Sequence, residues 1–304
     1  MKNFDLNLKT FYSNGKLLLS GEYVVLDGAL ALAIPTKYGQ SLLVEATHEK
    51  GIHWRSLNEK GAVWFEANFK IHDSISERKN RILFQLLKIL REAQNLNPSF
   101  LVDEAITVTT QLTFPRNWGL GTSSTLINNI AQWAHVDAFQ LLKNSFGGSG
   151  YDIAAAQHTT PILFQLSNGK PGIKEIQLNW DFKAHLFFVY LNQKQDSLEG
   201  ITYYKSKKVT SEVIKEISSI TQALYLCTSI DAFENLLQSH EMMISKVLQK
   251  PTIKEILFKD YPGAIKSLGA WGGDFILATG TKEAQAYFRE KGYATILPFE
   301  EMML

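Results

Sequence analysis

The chain is 304 residues long, 45% hydrophobic and 20% charged, the balance of a globular protein with enough length for one large or two medium domains. A formal net charge of +1 provides no field that would draw it to nucleic acid or to an anionic membrane, so neither is an expected partner. Its only cysteine, Cys227, excludes an internal disulfide and favours a reducing compartment, and the seven scattered histidines show no zinc-ligand spacing.

In chain order, residues 1–9 are polar and charged, so no signal peptide is expected. No run nears the ~20 apolar residues that cross a bilayer, and a soluble, cytoplasmic protein is expected. Residues 17–19 and 23–26 read as short apolar strands separated by Ser20-Gly21, with a turn at Asp27-Gly28. Residues 41–46 and 62–69 read as further strands. Ile82, Leu83, Leu86, Leu87 and Leu90 place one apolar stripe on a helix over 81–93. Residues 106–114 alternate as a half-buried strand. A glycine loop then leads into a helix with Leu126, Ile127, Ile130, Ala131 and Ala134 on one face, and Thr122, Ser123 and Ser124 where an N-cap belongs.

The Asn-Gly and Pro-Gly pairs within 167–172 predict turns. A strand follows at 184–191, then helices over 211–226 and 232–248. Cys227, at the end of an apolar stretch, reads as a packed thiol. A glycine cluster at 269–273 precedes a strand at 275–278, a helix at 282–291 and a strand at 293–297. Helices and strands mix in both halves, which predicts an α+β fold of two closely packed domains, 1–175 and 176–304.

Three glycine-rich stretches and one lysine carry the chemistry. In Trp118-Gly119-Leu120-Gly121-Thr122-Ser123-Ser124, two glycines open the backbone to close approach just before a helix start. That terminus holds about half a positive charge and unpaired N–H donors, an anion site, and its hydroxyls suit Mg²⁺. The spacing is neither a Walker loop nor a dinucleotide fingerprint. In Gly147-Gly148-Ser149-Gly150-Tyr151-Asp152, the carboxylate of Asp152 is placed to accept or orient a proton, or to cap a helix. Lys266-Ser267-Leu268-Gly269-Ala270-Trp271-Gly272-Gly273-Asp274 reads as a compact loop or a tight turn before a strand. Near the amino terminus, Lys16 enters the apolar run before Gly21-Glu22-Tyr23, where a lysine usually snorkels outward or pairs with an acid.

In this order, the four segments resemble the GHMP kinases, those of galactose, homoserine, mevalonate and phosphomevalonate. The resemblance runs from Gly15 to Asp274. It implies a two-domain α+β fold with the active site in the interdomain cleft. It further implies an ATP phosphate loop of Gly119, Leu120, Gly121, Thr122, Ser123 and Ser124, with Ser123 as a Mg²⁺ ligand. Asp152 would be the catalytic carboxylate, with Lys16 paired to it. Glu22, Tyr23, Ser149, Gly150, Gly269, Ala270, Gly272 and Gly273 would line the site or brace its loops. Gly21-Glu22-Tyr23-Val24-Val25-Leu26, Gly148-Ser149-Gly150-Tyr151-Asp152-Ile153-Ala154 and Gly272-Gly273-Asp274 look closer to phosphomevalonate kinases, which implies ATP-dependent phosphorylation of mevalonate 5-phosphate in isoprenoid precursor synthesis. Mevalonate kinase and a non-catalytic binding protein of the same fold are the alternatives, and a decarboxylase of that fold matches less well. The oligomeric state is left open.

Two departures from the family pattern stand out. Ser123 and Asp152 are 29 positions apart (152 − 123), closer than usual, and no glutamate lies between Ser124 and Asp152. The one acid there, Asp137, reads as a helix-start residue. Trp271 stands where glycine is usual. Arg116, Lys37 and His158 are candidate contacts for a substrate anion, with no role assigned.

Overall fold

The periods of the apolar residues, near two in strands and 3.6 in helices, decide which stretches can bury a face. The computed structural model describes residues 8–102, 105–194, 197–269 and 271–304. Its strands in the first half are β1 (Lys9–Ser20), β2 (Ala31–Ala46), β3 (Gly51–Leu57), β4 (Val63–Phe69) and β5 (Ala105–Leu112). Those that follow are β6 (Ile162–Ser167), β7 (Lys170–Glu175), β8 (Leu186–Tyr190), β9 (Ile265–Ser267), β10 (Phe275–Thr279) and β11 (Ile296–Pro298). The helices begin with α1 (Arg81–Leu96), α2 (Thr122–Ala134), α3 (Ala138–Ser145), α4 (Tyr151–Gln157) and α5 (Ser197–Lys205). They continue with α6 (Ser211–Leu226), α7 (Ile230–Leu248), α8 (Ile253–Leu257), α9 (Ala284–Glu290) and α10 (Phe299–Met302).

By contact the chain forms two compact units, each assembled from separated segments. The first takes residues up to Gly15, Tyr38–Arg116 and Gly121–Gln157. Here β3 pairs with β4 antiparallel and with β5 in parallel, and β5 pairs antiparallel with β2 from Gln40↔Leu112 to Ala46↔Ile106. Trp54, Leu42 and Val108 meet Leu83, Leu86 and Leu90 of α1 and Ile127 and Ile130 of α2 in one core. Asn80 caps α1 by accepting Leu83 N–H, and Asp137 caps α3 by accepting the N–H groups of Phe139 and Gln140. Ile82, in the first turn of α1, is 42% exposed although Leu86, Ile89 and Ala93, on the same face of later turns, are buried.

The second unit takes Lys16–Lys37, Asn117–Leu120 and His158–Leu304. In it β2 pairs with β6 at Ala31↔Phe164, and β6 with β7 in a hairpin. Asn168 (φ 52) and Gly169 (φ 72) make the turn, the two positive angles a tight two-residue hairpin needs. Pro171 and Gly172, expected as a turn, lie inside β7 instead, because the preceding pair already reverses the chain. A separate antiparallel sheet runs β11-β8-β10-β9. Phe187, Ile276, Phe258 and Phe288 form one core, while Val24, Ile217, Ile244 and Leu248 form another. The Cys227 thiol is buried, 3.2 Å from Ser229 O, as its apolar setting predicts.

Residues 23–26, expected as a strand before the Asp27-Gly28 turn, instead lead into one 3-10 turn over 24–27, entered at Tyr23 with positive φ and closed by Gly28 in the left-handed region. The last strand begins at Ile296 rather than 293, since Gly292 (φ 89) ends α9 and delays the extended backbone. Among the described residues, no helix is long and apolar enough to cross a membrane.

Candidate active site

In the first unit, the start of α2 follows from its glycines. Gly121 (φ 95) is the N-cap and carries no side chain, so the first turn has no side-chain cap for its N–H groups. Thr122, Ser123 and Ser124, expected at the cap, are the first three helical residues. Ser124 Oγ turns inward to donate to Gly121 O at 2.9 Å, and Thr125 Oγ1 donates to Gln40 Oε1 at 2.7 Å. The Ser123 side chain alone of these three is exposed.

Behind this start, α2 is buried on nearly every side and carries amides where apolar residues would otherwise pack. Asn128 Nδ2 donates to Ser13 Oγ at 2.8 Å, Ser13 Oγ to Asn129 Oδ1 at 2.7 Å, and Asn129 Nδ2 to Gln40 O at 2.8 Å. Gln157, the last residue of α4, donates from Nε2 to Asn128 Oδ1 at 2.9 Å and so ties α4 to α2. Asp152 is the second residue of α4, half-buried, with Oδ1 accepting Ile153 N–H at 3.1 Å. Gly150 (φ 87) precedes it under Phe139, whose Cδ1 would stand 2.9 Å from any added Cβ, and the half-buried Ser149 lies before it. Replacing Asn128 by Leu strips the buried Ser13 of a partner and releases the exposed Gln157. Destabilisation by about 2 kcal/mol is expected, measured by urea unfolding.

In the second unit, Lys16 is buried rather than snorkelling: Nζ donates to Gly119 O at 3.0 Å, and its N–H to Leu120 O at 3.0 Å. Gly119 (φ 68) lies against Asp274, whose Oδ2 would stand 2.1 Å from a Cβ at 119 and 3.1 Å from one at Gly269. The Glu22 carboxylate is buried, with Oε1 2.6 Å from Lys266 Nζ. Tyr23 stacks on Tyr204 with centroids 5.4 Å apart, and its hydroxyl accepts Trp271 N–H at 2.8 Å. Burial foremost, with the charges of Glu22 and Asp274, holds the Tyr23 phenol above its ordinary range despite the Trp271 bond. Trp271 turns outward enough for Nε1 to reach Pro251 O at 3.1 Å, and Gly272 O accepts Gln193 Nε2 at 2.8 Å. Gly273 is buried beside it; Ala270 lies outside the described residues.

The three anion candidates are engaged elsewhere. The Arg116 guanidinium lies 3.6 Å from the centre of the Trp64 ring, Lys37 Nζ donates to Glu300 O at 2.5 Å, and His158 is 3.9 Å from Glu175. Sequence reading missed the roles of Gln40, Asn128, His240 and Glu241, whose one signal is a polar residue on an apolar helical or strand face.

Phosphates fit the α2 start, whose first-turn N–H groups have no side-chain cap. The Ser123 hydroxyl and the Asp152 carboxylate are oxygen donors of the kind Mg²⁺ takes. Among the described residues no group of three or more His, Cys, Asp or Glu side chains is placed to hold a metal. Such a set fits an ion that brings most of its ligands as water and phosphate oxygens.

No protein-family model matches the sequence, and neither does any curated protein. Solved structures do match it. Methanococcus jannaschii mevalonate kinase has a TM-score of 0.71 at 15% identity, over 97% of this chain and 98% of that one. Streptococcus pneumoniae phosphomevalonate kinase, in complex with phosphomevalonate and AMPPNP, has 0.69 at 14%, over 95% and 99%. Lactococcus lactis galactokinase, complexed with galactose, has 0.63 at 12%, over 93% and 88%. At these identities the likeness shows the fold, which is the α+β fold of the GHMP kinases.

Proposed function

We propose that this chain is a cytoplasmic GHMP-family kinase, with domains 1–175 and 176–304, that moves the γ-phosphoryl group of ATP onto mevalonate 5-phosphate. The observation that carries the reading is the start of α2, where Gly121 in the left-handed region leaves the first-turn N–H groups without a side-chain cap. Likeness over the full chain to kinases of mevalonate, phosphomevalonate and galactose supports the same chemistry.

In this reading the α2 N–H groups and the exposed Ser123 hydroxyl hold the nucleotide phosphates. Ser123 would help hold Mg²⁺, which when bound would supply charge neutralisation for the transferred group. Asp152 orients the acceptor oxygen and takes its proton if one is present. That oxygen bonds to the γ-phosphorus as the bond to the ADP oxygen breaks. Lys16, fixed to Gly119 O, contributes positive charge beside the loop. The acceptor preference rests on the segments 21–26, 148–154 and 272–274, which look most like phosphomevalonate kinases.

A coupled ADP-release assay against mevalonate, mevalonate 5-phosphate, homoserine and sugars tests it. Turnover with mevalonate 5-phosphate is expected. Turnover with mevalonate alone would assign the alternative acceptor, and ATP binding without turnover on any of them would make the chain a binding protein.

A further inference from the structure

Residues 21–24 make a turn that L-amino acids avoid. Tyr23 has φ 60 and ψ −49, and Val24 N–H closes back on Glu22 O at 2.7 Å. This is the γ-turn with its central residue in the rare, strained form. Strain of this kind persists only where the surroundings over-determine it. Here three groups of the second unit do so. His240 Nε2 accepts Gly21 N–H at 3.0 Å, Lys266 Nζ holds Glu22 Oε1 at 2.6 Å, and Trp271 N–H binds the Tyr23 hydroxyl.

The charges behind the turn do not balance when fully ionised. Lys266 Nζ faces a second carboxylate, Glu241 Oε1, at 3.3 Å, and also donates to Ser267 O at 3.1 Å. None of Glu22, His240, Glu241 and Lys266 is more than 3% exposed. His240 spends its Nε2 lone pair on Gly21 N–H and lies 3.3 Å from Glu22 Oε2. Burial, then the Lys266 charge, holds the ring neutral. Two carboxylates against one ammonium would leave a net negative charge with no water to solvate it. Among the described residues, Glu22 Oε2 and Glu241 Oε2 both lack a hydrogen-bond partner, as do His240 Nδ1 and Ser267 Oγ.

We propose that Glu22, His240, Glu241 and Lys266 form a buried clamp that holds one proton on its carboxylates and keeps the strained Tyr23 turn joined to the strand feeding the 269–273 loop. It rests on the kinase reading only in treating those two segments as parts of the active site. Desolvation first, opposed by Lys266 and reinforced by Glu22, raises the Glu241 carboxyl to about 7, and burial raises Glu22 as well. Glu241 is therefore the group that titrates near neutrality. Because its folded value lies above the unfolded one, its contribution to stability is complete below about pH 4.5 and is lost as pH rises through about 7.

The test needs neither nucleotide nor acceptor. Thermal unfolding of the wild type and Glu241→Gln is followed from pH 4 to 8.5. Gln reproduces the protonated carboxyl, so the two Tm values coincide at pH 4, and the variant stands several degrees higher at pH 8.5. Parallel curves would overturn the proton. Hydrogen exchange tests the clamp: in Lys266→Met, peptides covering 21–26 and 266–269 exchange at least tenfold faster, while those of α1 do not change. Unchanged exchange at 21–26 would overturn it. Should Lys266→Met not fold, wild-type exchange at pH 5 and 8.5, corrected for the intrinsic rate, must show residues 21–26 opening at the higher pH. Failure of these measurements leaves the kinase assay standing, and failure of the assay leaves the clamp standing.

Discussion

Asp152→Asn is expected to lower turnover by ~10²–10⁴-fold while ATP affinity stays within a few-fold of wild type. The amide matches the carboxylate in size, so the second position of α4 keeps its packing, and Ile153 N–H keeps an oxygen acceptor. In the proposed reaction, what is lost is a charged acceptor for the attacking oxygen. The α2 start proposed to hold the phosphates keeps its Gln157–Asn128 tie to α4, which does not involve residue 152. Steady-state rates with mevalonate 5-phosphate, set beside calorimetric ATP titrations, separate the two effects. A turnover within threefold of wild type would remove Asp152 from the chemistry.

Gly119→Ala should be among the most destabilising single-methyl additions in the chain, by about 3 kcal/mol. A left-handed backbone costs an L-residue about 1 kcal/mol, and overpacking typically adds 1–3 kcal/mol. Here the added Cβ would stand 2.1 Å from Asp274 Oδ2. Asp274 has little room to retreat. It is 4% exposed, its N–H is bound to Gln193 O at 3.1 Å, and its carbonyl takes Leu191 N–H at 2.8 Å. Gly61→Ala is the control, since Gly61 shares the positive φ (76) but has nothing within 4 Å of the added carbon. Urea midpoints for the two variants isolate the clash, and equal losses would remove it. ATP binding should weaken in the first alone, because Gly119 O also holds Lys16 Nζ.

Much of the fold was legible because local preference and tertiary burial agree. Helix 211–226 was read to the residue, since its apolar period is clean and Thr210 supplies a cap through its hydroxyl. Residues 23–26 were misread because Tyr, Val and Leu favour strands, whereas the positive φ at Tyr23 is fixed by groups more than 200 positions away. The glycine loops were legible as loops, because few other residues suit a left-handed backbone beside a close neighbour. His240 was not legible. It occupies the stripe Phe233, Leu237, His240, Ile244, Leu248, spaced as any core position would be, and only the placement of Gly21 and Glu22 shows why a polar ring sits there. Trp271 and the missing glutamate after Ser124 set this sequence apart from the family pattern in two of its four segments.

The discontinuous make-up of each unit has a consequence for synthesis. Lys16–Lys37 belongs with Asn117–Leu120 and with residues from His158 onward, yet it leaves the ribosome first. At ~5–20 residues per second, the apolar side chains of Leu17, Leu18, Leu19 and Ile34 wait roughly tens of seconds for the partners that will cover them. Over that interval those side chains stay open to non-native contacts, and slowing translation after residue 37 should reduce the yield of native protein.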